Sequence, residues 1–250
     1  MAKDMVKKGE GAVAVVPEYL KDDLSHSELG NENVGADDVI VPRLKHLQQL
    51  SPEIDKGDSK YVPGAEAGMF YNSLTREIVA PPVAFCPFHY NMTYALFKKR
   101  TAGGGFVGTF SSEKEAMEEL RLQAEPDKHE VAQTAVHWVV YQGDDGKWQE
   151  AAFHMASTKL TASRELNSLI KLRGGARWAH LYMFSSKPDD APKGKFYRLM
   201  VGNGPRNADG SEVWPPQEVV ERCRQYHDLV INKKVRVDSE EDVPVAKGEF

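Results

Sequence analysis

The sequence predicts a sheet-dominated α+β fold flanked by disordered acidic ends. Three observations carry this expectation. Runs of β-branched and aromatic residues follow one another across short turns, as antiparallel strands do. Helical periodicity is confined to residues 111–123, 159–173 and 215–233. Neither βαβ alternation nor an internal repeat is present, which argues against a doubly wound nucleotide-binding fold.

Residues 1–38 mix small, polar and acidic types without periodicity and are expected to form a disordered acidic arm. One folded domain is expected over residues 39–237, since no stretch inside it reads as a linker, followed by an acidic tail over residues 238–250. In VIVPRLKHLQQL the β-branched start favours a strand, but Pro42 lacks an N–H and restricts it to an edge or to an extended segment laid on the domain. GMFYNSLTREIV reads as two short strands around Asn72 and Ser73, and VAFCPFHYNMTYALFKKR as one long strand interrupted near Pro87. Thr101–Gly105 turn the chain into the strand FVGTF, after which SSEKEAMEELRLQ begins a helix with a serine cap and an acidic first turn.

HEVAQTAVHWVVYQ and KWQEAAFHMAS flank a Gly-Asp-Asp-Gly turn at Gly143–Gly146, the clearest hairpin signature in the chain. Leu160, Leu166, Leu169 and Ile170 share a helical face that should end at Gly174 and Gly175. A second hairpin is expected from RWAHLYMFSS and KFYRLMVGNG, joined by the loop from Pro188 to Pro192. In the last element, PPQEVVERCRQYHDLVINK, prolines suit the helix start and Val219, Val220, Cys223, Tyr226, His227 and Val230 form one stripe.

The net charge of -5 hides an uneven distribution. Residues 1–38 carry nine acids against four lysines and residues 238–250 five acids against Lys247, which leaves +4 on residues 39–237. A mildly basic body with two acidic arms suits a polyanionic partner. Nothing approaches the run of about 20 apolar residues needed to span a membrane. The start MAKDMVKKGEG lacks the apolar core of a signal peptide, so no membrane partner and a cytoplasmic location are expected. Two cysteines are too few for a disulfide framework, which agrees with a reducing compartment.

Catalytic motifs are missing, and no enzyme activity is expected. Gly103–Gly108 satisfies G-x-G-x-x-G, but the following Phe106–Phe110 reads as a strand where a dinucleotide site needs a helix. There is no phosphate loop, no G-x-S-x-G and no flanked catalytic cysteine, and no cofactor is indicated. Cys86 with His89 and Cys223 with His227 could complete a Cys2His2 zinc site if the fold joined them; burial of both cysteines in the core is the competing expectation. A metal-dependent nuclease would rest on that site.

Bases and aromatics interleave in the strands, as in grooves that track a phosphate backbone while stacking unpaired bases. The candidate DNA-binding residues are Tyr94, Phe97, Lys98, Lys99 and Arg100, then Arg173, Arg177, Trp178 and Tyr182, and finally Tyr197 and Arg198. Trp178, His180, Tyr182 and Phe184 would share one face of a single strand, with placement in the core as the competing expectation. In the acidic tail, Asp238, Glu240, Glu241, Asp242 and the terminal Phe250 are candidates for partner binding and for competing with DNA over the protein's own basic groove.

The segments Gly35–Asp55, Gly68–Val79, Arg177–Phe184 and Gly194–Pro205 resemble a family of tailed-bacteriophage proteins placed among replication single-stranded-DNA-binding proteins. The acidic tail ending in Phe250 is similar to the tails of such proteins. That resemblance implies an OB-like Greek-key barrel, here elaborated by the three helices, and recruitment of replication or recombination proteins through the tail. The location it implies is the host cytoplasm, and assembly into a homo-oligomer is compatible with it. The function expected is sequence-independent binding of single-stranded DNA; the alternative is a phage accessory protein that binds and inhibits a host protein.

Overall fold

The computed structural model describes residues 33, 40–191, 194–232 and 236–237. The acidic arm and the tail with Asp238, Glu240, Glu241, Asp242 and Phe250 therefore lie outside the described residues, apart from residue 33. In chain order the strands are β1 (Ile40–Val41), β2 (Leu44–His46), β3 (Phe70–Asn72), β4 (Ile78–Val79), β5 (Val83–Lys98) and β6 (Phe106–Phe110). Helix α1 (Glu113–Leu122) precedes β7 (His129–Gln142) and β8 (Trp148–Ala156). Then come α2 (Lys159–Arg173), β9 (Tyr182–Ala191), β10 (Gly194–Asn203), α3 (Gln217–Ile231) and β11 (Arg236–Val237).

The result is mixed α+β and mostly antiparallel. Its centre is a six-stranded sheet in the order β10-β9-β5-β7-β8, with β6 also paired to β5. Sixteen-residue β5 spans the whole sheet: β7 follows one of its edges, while β9 takes residues 83–85 and β6 residues 94–97 of the other. Pro87 has no N–H for the ladder, and the register with β7 slips between Pro87 and His89, the interruption expected there. The β7–β8 turn closes as predicted, with Gly143 N–H on the Lys147 carbonyl at 2.8 Å and Gly146 at φ +80°.

Helix α1 starts where the Ser112 hydroxyl accepts the Glu115 N–H at 3.2 Å. Helix α2 stops at Gly174, which takes φ +73° and bonds back to the Ile170 carbonyl at 3.1 Å. Alternation along the strands sends apolar side chains to both faces, and each face has its own core. On one, α2 and the small β2-β3-β4 sheet close over Phe70, Phe85, Val139, Phe153, Leu166 and Phe184. On the other, α3 packs on β5 and β7 over Cys86, Phe88, Val140, Val219 and Cys223. Parallel pairing of β1 with β11 joins the first and last described strands.

Several expectations are corrected. The sheet is not a closed OB-type barrel: among the described residues β10 and β8 end it and do not pair. The predicted strand from Arg177 starts only at Tyr182, because Ala179 N–H bonds to the Ala176 carbonyl at 2.9 Å and turns the backbone. Trp178 and His180 therefore do not continue the strand face of Tyr182 and Phe184. The expected Pro188–Pro192 loop is instead mostly strand, since β9 runs through Pro188 to Ala191.

Candidate nucleic-acid interface

Helix α3 covers only part of its face of the sheet, and the uncovered part forms a trough of about 660 Å³. Its floor is built by alternation, which brings Asn91, Thr93 and Phe97 of β5 beside Thr134 and Trp138 of β7 and His154 of β8. One wall is β6 from Phe106 to Thr109, and Arg43 stands at the opposite side. Trp138 donates its indole N–H to Asn91 Oδ1 at 3.0 Å, which fixes the ring between the α3 core and the trough. Phe97 meets Phe106 edge-to-face with centroids 5.6 Å apart. Aromatic planes, small hydroxyl and amide groups and a guanidinium are the chemistry that holds bases and phosphates.

The structure divides the predicted DNA-binding residues. Phe97 lines the trough, and Lys98 and Lys99 follow it at the strand end. Lys99 bonds through Nζ to the Asp127 carbonyl at 2.7 Å. Tyr94 and Lys98 sit on the opposite face of β5 by alternation. The Arg100 side chain lies outside the described residues.

The remaining candidates are engaged within the protein. Tyr182 is core, 1% exposed. Arg173 is ion-paired with Glu212, and Arg198 with Asp189 across the β9–β10 hairpin. Trp178 packs against the α3 core and edge-on to His227 at 5.1 Å. Tyr197 is clamped by Gln48, whose amide accepts its N–H and donates to its carbonyl, both at 2.9 Å.

Arg177 is held in the interior by Asn167 Oδ1 at 2.8 Å and His137 Nδ1 at 3.0 Å, above the Tyr90 ring. Burial lowers its pKa to about 10. Because a guanidinium only donates, His137 Nδ1 must accept, and the neutral ring then donates from Nε2 to Ser163 Oγ at 2.7 Å. Burial and Arg177 hold His137 neutral, with its pKa down to about 3. Ser163 Oγ thus accepts a hydrogen bond from the histidine, the reverse of what an activated nucleophile needs, and both residues are buried.

The fold does join the two Cys/His pairs, but it sorts them by kind. Cys86 donates its thiol to the Trp178 carbonyl at 3.3 Å, and Cys223 Sγ is 4.0 Å from the Cys86 carbonyl, both fully buried under α3. A hydrogen bond with Cys86 and burial push the Cys223 thiol up. His89 and His227 meet edge-to-face 5.9 Å apart at the rim, where burial, His227 and Arg177 lower the His89 pKa. Among the described residues no group of three or more His, Cys, Asp or Glu could hold a metal ion, which corrects the zinc expectation for this quartet.

Asn91, Thr93, Trp138 and His154 were missed as site residues because polar positions inside a strand carry no local signature. The signal that could have found them is Asn91 and Thr93 on the same pleat face as Phe97. Among the described residues no helix is long and apolar enough to cross a membrane.

A family model described as Pam3 phage gp34-like protein matches residues 7–223. No curated protein and no solved structure matches the chain.

Proposed function

The chain belongs to the Pam3 phage gp34-like family, a phage protein family, and we propose that it binds single-stranded DNA without strong sequence preference along the trough beside β6. The observation that carries this reading is the Phe97–Phe106 pair and Trp138 lining one open trough with Arg43; Lys98 and Lys99 follow Phe97 in the chain, where β5 ends. Unpaired bases stack on rings of any sequence, and cations beside them neutralise phosphates, so affinity needs no base-specific contact. The open sheet serves in place of a barrel: three adjacent strands present one face, and β6 walls it. Protection of replication or recombination intermediates is the role this binding would serve, with the tail at residues 238–250 recruiting partners. No reaction is proposed.

Fluorescence anisotropy with labelled oligo-dT at two salt concentrations tests the reading. Tight binding at low salt that weakens at high salt is expected. Phe97→Ala should cost about 1–3 kcal/mol of binding, the worth of one stacked base. Absence of binding at low salt by the folded full-length protein would sink the proposal and turn attention to the host-protein inhibitor, sought by pull-down from nuclease-treated host lysate.

A further inference from the structure

The three outer edges of the central sheet are treated differently. β8 is met at Ala152, whose N–H bonds to the Pro42 carbonyl at 2.9 Å beside a bridge to Arg43. β10 is met at Tyr197 by the Gln48 side chain, which copies a strand's donor and acceptor. β6 has no such cover among the described residues, and its sequence, Phe106-Val-Gly-Thr-Phe110, carries no charge. Phe106 and Val107 are 43% and 39% exposed. Lysines, charges or covering segments ordinarily protect such an edge from pairing.

We propose that β6 pairs antiparallel with β6 of a second copy of this chain, on a two-fold axis through Gly108. Two features select a second copy as the occupant. The strand suits self-pairing: centred on Gly108, antiparallel pairing sets Val107 against Thr109 of the other copy, two β-branched side chains on the same face of the sheet. Charge is complementary under the same axis, since Lys98 and Lys99 flank the Phe106 end and the exposed Glu113 and Glu115 follow Phe110. Each copy thus sets its basic end against the acidic end of the other, as an isologous interface requires.

A register slip against β5 leaves Val107 out of the inner ladder, so its peptide groups are available to an outer partner. The pairing joins two six-stranded sheets edge to edge. It does not depend on the DNA-binding reading, and its test contains no DNA.

The test is sedimentation velocity of the full-length protein over a concentration series, alongside cross-linking. A dimer is expected for the wild type. Val107→Lys combined with Thr109→Lys sets like charges opposite one another and should weaken dimerisation about tenfold or more. Circular dichroism should show the same fold in that variant.

Gly108→Cys provides the independent readout. A Cβ at this position meets only Phe110 ring carbons at 3.4 and 3.5 Å, and the native Cys86 and Cys223 are buried. On the axis, Gly108→Cys should form a disulfide-linked dimer under mild oxidant, well ahead of Val107→Cys. A monomer throughout the series would overturn the proposal and make the Val107 bulge the device that keeps copies apart. A dimer that survives the lysine pair, or one that fails to cross-link preferentially at position 108, would overturn it as well.

Discussion

At the scale of single residues, position 68 is decided by backbone shape and by a neighbour together. Gly68 takes φ +94°, and a Cβ there would stand 2.4 Å from Cδ1 of Tyr197, a residue whose backbone is already held by Gln48. Gly68→Ala is therefore expected to cost about 1–3 kcal/mol in urea unfolding; a change under half of that would show that the loop yields. His137 makes a second prediction, through pH. Its folded pKa is about 3 against 6.5 in the unfolded chain, so between those values the unfolded state binds more protons. Stability due to the neutral ring is complete above pH 6.5 and is lost as pH falls towards 3, by about 1.4 kcal/mol per pH unit. From pH 7 to 5 the wild type should lose about 2 kcal/mol more than His137→Gln, and equal losses would refute the buried neutral histidine. His46, lowered to about 3 by burial and Lys159, remains in both proteins and cancels. The internal roles of His137 and Arg177 were not legible in the sequence, because their partners Ser163, Asn167 and Tyr90 come from distant elements.

Whole elements were far more legible, for reasons visible in particular residues. The hairpin of β7 and β8 was written in alternation around a Gly-Asp-Asp-Gly turn, and α2 in its spaced leucines before Gly174. Both signals are local, so no tertiary knowledge was needed. The start of β9 was misread for the same reason: Trp178, His180, Tyr182 and Phe184 repeat with period two, but the turn bond between Ala179 and Ala176 breaks the extended backbone that period assumes. Helix α1 offers a test at this scale, since the Ser112 hydroxyl accepts the Glu115 N–H in its first turn. Ser112→Ala should lower stability by about 1 kcal/mol. The urea midpoint should fall with an unchanged slope, because the helix frays at one end without altering the surface exposed on unfolding. A shallower slope would mean that α1 detaches from β5 and β7 as a unit.

For the molecule as a whole, closure is the property that strand-by-strand reading could not reach. A barrel and an open sheet share the same alternation and differ only in whether the last strands meet. Here β8 is met at Ala152 by the Pro42–Arg43 segment and β10 at Tyr197 by Gln48, so contacts from the small-sheet segment stand where closing hydrogen bonds would be. The candidate surface shifted with that change: Arg173, Arg177 and Arg198 are paired within the protein, while Phe97 lines the open trough and Lys98 and Lys99 follow it at the end of β5. This redistribution makes a prediction about salt, because each phosphate neutralised by a lysine releases counterions on binding. Lys98→Ala with Lys99→Ala should reduce the slope of log affinity against log salt for oligo-dT by about 0.7 for each phosphate that is no longer neutralised. Arg198→Ala, which removes a group already paired with Asp189, should leave the slope unchanged. An effect of equal size in both variants would mean that the positive field of the whole body attracts DNA and that the trough holds no defined strand path.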